Sequence, residues 1–300
     1  MASVSVVIPT YYRDDLLANT LDSVVNQSYS PLEAIVVDDS GEAYANDIVS
    51  DYPVNYIPLS ENKGANPART IGVERSNGEY IQLLDDDDQL EPAKIERQIQ
   101  RFNNVADTVG VLYCGLTNGC GRDFYPQSDL KGNVLEQALS FKTWPCVNST
   151  MLIKRPTIEE ILPLTKRPAA DDTGMIIELA QRTEFDYVDE VLVKKNMRGT
   201  SRGRSMAAVR EHLNIMKEYE SLYEQVDSSV RKQSKSHIHE QRAKVRLSEQ
   251  MWSLATVASF GRVVWHNPSP RSAGYFISSF FGKPGINVWE RLFHKIMSIT

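Results

Sequence analysis

An α/β fold is predicted for residues 1–205 of this 300-residue chain: a mixed, mostly parallel sheet with helices on both faces, followed by a mainly helical C-terminal extension over 206–300. Three observations carry that expectation. Short apolar runs of strand length alternate with stretches of helical spacing through the first half, the pattern of βαβ units. The runs are nearly continuous in Val, Ile and Leu, as strands buried on both faces must be. Acidic clusters close several runs, so carboxylates would collect at one sheet edge, where open α/β sheets bind ligands.

The elements follow in order. Residues 3–8 are a β-rich run ending at Pro9. Asp14 and Asp15 can start a helix, and Leu16, Leu17, Thr20, Leu21, Val24 and Val25 then keep helical spacing. A second strand over 32–37 is closed by Asp38-Asp39-Ser40-Gly41. Residues 54–58 read as a third strand and 66–75 as a helix, stopped by the turn Ser76-Asn77-Gly78. The strand 80–84 delivers four consecutive aspartates, Asp85 to Asp88. A helix over 92–102 and a strand over 110–114 come next. Further on, 149–153 reads as a strand, 173–181 as a helix and 185–193 as extended chain. The span 191–210 holds no acidic residue and carries Lys194, Lys195, Arg198, Arg202, Arg204 and Arg210. From 211 the spacing is mainly helical, which sets the expected boundary between core and extension near 205–210.

Composition excludes some classes. A net charge of −6 argues against a general nucleic-acid binder, whose footprint would be basic. Cys114, Cys120 and Cys146 are odd in number and lack metal-type spacing, which points to reduced thiols and a cytoplasmic setting. The first six residues have no charged stretch leading into a long apolar run, so no secretory signal is expected. No apolar stretch reaches the 18 or so residues of a membrane span. Asn26 and Asn148 fall in glycosylation sequons, which should be silent without secretion.

Four adjacent carboxylates repel each other, and a divalent cation is the usual reason to hold them together; hard oxygens suit Mg²⁺ or Mn²⁺. A solvated acidic turn capping the next helix is the plainer reading. Two further acidic pairs match the run. Asp38-Asp39 follows the second strand, and Asp171-Asp172 precedes the apolar stretch with Met175, Ile176, Ile177, Leu179 and Ala180. Singly these are a turn and a helix cap. Together they describe a carboxylate-rich edge that calls for a cation or a polyhydroxylated ligand. The basic span fits the same ligand if it neutralises a diphosphate.

At this point the residues resemble a known family. Val6-Val7-Ile8-Pro9-Thr10-Tyr11-Tyr12-Arg13 resembles the opening strand and turn of the family 2 glycosyltransferases of the GT-A fold, with Tyr12 where Asn is usual. Val36-Val37-Asp38-Asp39-Ser40 resembles their Val-Asp-Asp-Gly-Ser segment. Asn62-Lys63-Gly64 with Ala68-Arg69-Thr70-Ile71-Gly72 resembles the Asn-x-Gly, Ala-Arg-Asn-x-Gly block. Gly78-Glu79-Tyr80-Ile81 through Leu84 to Asp88 resembles the Gly-Glu-Tyr-Ile, Leu-Asp-x-Asp-Asp block. The likeness is strong over residues 4–105 and weaker over 140–200.

The resemblance implies metal-assisted, inverting transfer of a sugar from a nucleotide-diphosphate donor to a hydroxyl of a glycan or lipid-linked acceptor. Residues 1–105 would bind the nucleotide-sugar, and 106–205 would form the acceptor side. Thr10 and Asp38 would line the nucleoside pocket, bordered by Lys63 and by Arg69, which could equally anchor the sheet edge. Asp85 and Asp87 match the Asp-x-Asp motif and would hold Mg²⁺ or Mn²⁺, with Asp87 the direct ligand. Asp86 would meet ribose or sugar. Asp171-Asp172 stands where the family carries Glu-Asp, which makes Asp172 the expected general base, with Asp171 the other catalytic candidate. Where many members complete the metal site with His, this chain has Met197 and Arg198, so Arg198 would supply charge instead. Two rivals remain: a sugar-nucleotide pyrophosphorylase, which would want a Gly-rich, cationic loop after the first strand, and a related binding module without catalysis. Near the C-terminus, Trp289, Leu292, Phe293, Ile296 and Met297 share one helical face, which would pack on the core or dock peripherally on the cytoplasmic face of a membrane.

Overall fold

The computed structural model of the protein describes residues 2–196 and 205–297. These form two compact units, Met1–Ala138 with Thr143–Gly199, and Leu139–Lys142 with Thr200–Thr300. In chain order the first unit holds β1 (Val4–Thr10), α1 (Asp14–Val25), β2 (Leu32–Asp38), α2 (Asn46–Val49), β3 (Asn55–Pro58), α3 (Ala65–Glu74), β4 (Tyr80–Leu83), β5 (Gln89–Leu90) and α4 (Lys94–Phe102). It continues with β6 (Val109–Asn118), β7 (Asp123–Phe124), α5 (Leu135–Leu139), a 3-10 turn at Asn148–Thr150, β8 (Leu152–Lys154), α6 (Arg155–Glu159), α7 (Asp171–Ala180) and β9 (Glu184–Lys195).

The strands make one mixed sheet in the order β3-β2-β1-β4-β8-β6-β9-β5, with β7 paired to β6. β2, β1 and β4 run parallel, and β9 runs parallel to β6, while β8 is antiparallel to both β4 and β6. Two reversals restore the direction, so β6 and β9 point the same way as β1 and β4. The carboxyl ends of β1, β2, β4 and β9 therefore lie on one edge. All seven residues of β1 are buried. One face, through Val6, Ile8, Val36, Leu112 and Leu116, packs with Leu17, Leu21 and Val24 of α1 and Ile95, Ile99 and Phe102 of α4. The other meets α3, where an added Cβ at Gly72 would press on Val7 and stand 3.2 Å from Val37.

Two expected elements shift. β1 does not stop at Pro9 but runs to Thr10. Val7 O accepts from Leu84 N on the β4 side, while Thr10 O accepts from Asp39 N on the β2 side. Pro9 has the same parity as Val7, so its missing N–H faces the β4 side past the last pair, Val7 with Leu83, and costs no ladder bond. The strand expected at 149–153 begins as the 3-10 turn, and β8 starts only at Leu152. Thr150 explains this: its hydroxyl accepts from Val147 N, a local side-chain bond that competes with strand pairing.

The second unit is helical, with α8 (Met206–Glu218), α9 (Glu220–Tyr223), α10 (Ser228–Glu249), α11 (Leu254–His266), α12 (Pro270–Ser279) and α13 (Gly282–Met297). Its starts are written in side chains: Ser205, Asp227, Ser253 and Ser269 each accept a bond from a backbone N–H of the helix they open. Ala243, Leu247, Phe260, Val263, Tyr275 and Ile286 form its core. Of the face expected on α13, Trp289 packs onto that core, whereas Leu292 is exposed.

Candidate active site

The carboxylate-rich edge exists, and its side chains are paired. Asp38 ends β2 and is buried. Burial alone would raise its pKa, but bonds from Ala45 N–H, the Tyr56 hydroxyl and Ser40 N–H, at 2.8, 2.7 and 2.9 Å, hold it below the usual carboxylate range. Asp39, which the sequence reading left without a role, accepts from Lys63 N at 2.6 Å and Gly64 N at 2.8 Å, just ahead of α3. Lys63 thus contributes its amide here, while its ammonium lies 3.6 Å from Glu61 at the surface. Gly64 is suited to this position because its φ of 98° lies where L side chains are strained.

The aspartate run leaves β4 and is divided among three cations. Arg69, on α3, gives one nitrogen to Asp85 at 2.8 Å and the other to Asn66 at 2.8 Å and Asp171 at 3.4 Å. Lys195, the last residue of β9, lies 2.8 Å from Asp88 and 3.3 Å from Asp85. Arg13, in the turn after β1, lies 2.5 Å from Asp87 and 3.5 Å from Asp86. Asp86 also accepts from the Thr10 hydroxyl at 2.9 Å, and Asp88 from the Ser149 hydroxyl at 2.6 Å and Asn196 N at 3.0 Å. Burial pushes Asp86 and Asp88 each up to about 6. Asp85 is instead held well below the usual range, since Lys195 and Arg69 outweigh the penalty of burial.

Asp171 and Asp172 open α7. Asp172 accepts from Thr173 N at 2.8 Å. Burial raises its pKa, the charge of Asp85 raises it further, and Lys195 and Arg69 pull it back. That mutual influence places Asp172 within electrostatic reach of the aspartate run. Oxygens of Asp85, Asp87 and Asp88 lie within 4.8 Å of one another. Their hard carboxylate oxygens suit Mg²⁺ or Mn²⁺ in kind. Asp88, not a metal ligand in the sequence reading, joins Asp85 and Asp87 in that set. Arg198 lies outside the described residues.

Arg13 and Lys195 are the side chains at this edge that sequence reasoning underused. Arg13 stood inside the opening motif, and Lys195 inside the acid-free span, but nothing local tied either to the aspartates. Two surface concavities of about 280 and 250 Å³, one lined by Arg101, Lys131 and Asp186 and one by Ser3, Glu33 and Asn77, involve none of these residues.

Known proteins share this architecture. The chain aligns over 91% of its length with the structure of TarS residues 1–349 from S. aureus, covering 83% of that chain at 14% identity and a TM-score of 0.58. It aligns over 95% with the mannosyltransferase PcManGT of Pyrobaculum calidifontis, solved with GDP-Man and Mn²⁺, covering 84% of that chain at 17% identity and a TM-score of 0.60. At those identities the likeness is one of fold, and that fold is GT-A. In sequence, the chain is 36% identical over 102 residues to TuaG of Bacillus subtilis (strain 168), a glycosyltransferase provisionally assigned to teichuronic acid biosynthesis; the match spans 32% of this chain and 40% of TuaG. Residues 5–162, more than half of the chain, match the profile of Glycosyl transferase family 2, and to that family the chain belongs.

Proposed function

We propose that the protein moves a sugar from a nucleotide-diphosphate donor to a hydroxyl of a glycan or lipid-linked acceptor, with inversion at the anomeric carbon. One observation carries the reading beyond family membership. Arg69 bridges Asp85 and Asp171, so the donor-side cluster and the pair holding the candidate base share one buried guanidinium. A base and a departing diphosphate must lie on either side of one sugar carbon, and this pairing supports that spacing.

In the reaction, the acceptor oxygen forms its bond to the anomeric carbon as the bond to the diphosphate oxygen breaks. The hydroxyl proton passes to the Asp172 carboxylate, whose raised pKa suits it to hold a proton. Thr10, Asp38 and Asp39 border the nucleoside side, and Asp86 faces ribose or sugar. Asp85, Asp87 and Asp88 would hold Mg²⁺ or Mn²⁺, which when bound offsets charge on the leaving diphosphate. The ligands of the two fold neighbours, UDP-GlcNAc for a TarS complex and GDP-Man with Mn²⁺ for the mannosyltransferase, favour a nucleotide-sugar donor and a metal here as well. We also assign to the helical unit a peripheral contact with a membrane, as a lipid-linked acceptor would require.

The test is a screen of nucleotide-sugars for turnover with Mg²⁺ or Mn²⁺, followed by Asp172→Asn on the donor that works. Turnover should fall by about 10² to 10⁴ while the donor Kd stays nearly unchanged. Loss of donor binding in that variant would remove Asp172 from the role of base. No turnover with any donor, alongside intact nucleotide binding, would make the protein a binding module.

A further inference from the structure

Lys195 stands where an incoming metal would have to go. Its ammonium lies 2.8 Å from Asp88 Oδ2 and 3.3 Å from Asp85 Oδ2, and both aspartates belong to the trio whose oxygens fall within 4.8 Å of one another. A Mg²⁺ on those carboxylates would sit about 2.0–2.1 Å from its oxygens. Ammonium and ion would then be in near contact, two cations on shared ligands. The remaining oxygens are also engaged: Arg69 holds Asp85 Oδ1, and Asn196 N–H holds Asp88 Oδ1. An ion cannot simply take the other side of each carboxylate.

The position is built rather than incidental. Lys195 is the last residue of β9 and pairs in register with Asn118, so a strand fixes its backbone beside the run. Its four-carbon stem lets the ammonium swing without moving that strand. The three cations serve the four aspartates and, through Arg69, Asp171 as well. A lone divalent ion on Asp85 and Asp88 would displace the ammonium from both of its carboxylates. A diphosphate changes that, because its oxygens can accept the released ammonium and complete the metal's coordination.

We propose that Lys195 is a tethered cation that holds Asp85 and Asp88 and yields them only to a metal that arrives with a diphosphate. This rests on the metal-assisted reading above. It makes Lys195 a positioning residue that couples metal entry to donor entry. Free metal then binds poorly, and the site is assembled only when a donor is present.

Mn²⁺ binding to the full chain, followed by the loss of the free-ion electron paramagnetic resonance signal, tests this without any turnover. In the wild-type protein Mn²⁺ alone should bind weakly, and saturating UDP or GDP should strengthen it. Lys195→Met should bind Mn²⁺ alone at least tenfold more tightly, and the strengthening by nucleotide should shrink. Lys195→Arg, which keeps the charge, should stay near wild type. If Lys195→Met does not fold, Lys195→Gln keeps a polar partner for Asp88 and should show the same gain. Equal Mn²⁺ affinity in wild type and in the neutral variants would overturn the proposal, leaving Lys195 a structural ion pair in a site that still binds metal with nucleotide. If neither nucleotide brings Mn²⁺ to wild type or variants, the metal reading itself fails and takes the proposal with it.

Discussion

Arg69 sets the geometry of the site from below. Its side chain is 5% exposed, and its two terminal nitrogens hold Asp85, Asn66 and Asp171. The sequence allowed it to border the nucleoside pocket or to anchor the sheet edge; its contacts run from α3 to the aspartate run and to the start of α7. Arg69→Met would strand Asp85 and Asp171 beside each other with one fewer cation. Removing one partner of a buried pair costs about 3–5 kcal/mol; Lys195 still holds Asp85, so the lower end is expected, read as a fall in the urea unfolding midpoint of the first unit. An unchanged midpoint would mean that the guanidinium contributes no net stability. The aspartates themselves were legible because they are adjacent in sequence. Their partners were not, since Arg13 meets Asp87 across 74 positions and Lys195 meets Asp85 across 110. The missing His drew attention to Arg198, which lies outside the described residues; among those described, Lys195, three residues earlier at the end of β9, reaches the run.

At the scale of elements, hydrophobic pattern located β1, β2, β3, β4, β6 and β9 and helices α1, α3, α4 and α7, with ends off by at most four residues. Buried parallel strands are continuous apolar runs, and such runs are hard to miss. The short pieces β5, β7, α2, α5 and α6 carry too few residues for any period and went unread. Yet β5, only Gln89–Leu90, pairs with Lys194 and Val193 at the end of β9, next to Lys195. The close approach of α3 to the sheet was legible only as a glycine in a motif. Gly72 sits where a methyl group would press on Val7 Cγ1 and stand 3.2 Å from Val37 Cγ2. Helix α3 carries Arg69 and follows the Asp39-bound turn, so any shift of it moves the site. Gly72→Ala should therefore destabilise by about 1–3 kcal/mol, the usual cost of overpacking, and should weaken donor binding as well. A variant with wild-type stability and donor Kd would show that the helix can give way without consequence.

For the whole molecule, charge and apolar exposure are unevenly spread. The chain carries −6 in total, yet residues 251–300 hold five Lys or Arg against a single acidic residue, Glu290. In the same stretch the turn before α11 and the first residue of that helix expose Met251, Trp252 and Leu254, and the turn before α13 exposes Phe280 and Phe281. These turns abut: Trp252 Nε1 donates to Phe280 O at 3.1 Å, and Lys283 N donates to Met251 O at 2.8 Å. Of the face of α13 that periodicity singled out, Trp289 is turned inward and Leu292 is exposed, and the paired turns add to that exposed apolar surface. No described helix is long and apolar enough to cross a membrane. Aromatic tips set among basic residues suit an anionic bilayer surface, which attracts Lys and Arg and accepts ring side chains at headgroup depth. Flotation with vesicles containing phosphatidylglycerol should carry the protein upward, weakly with phosphatidylcholine alone and less as salt rises. Phe280→Ser with Phe281→Ser should cut partitioning by tenfold or more, since burying each ring contributes about 1.5–3 kcal/mol. Retained flotation in that double variant would move the contact elsewhere. Concentration-dependent dimers that vanish in it would show that the turns are covered by a second copy, not by lipid.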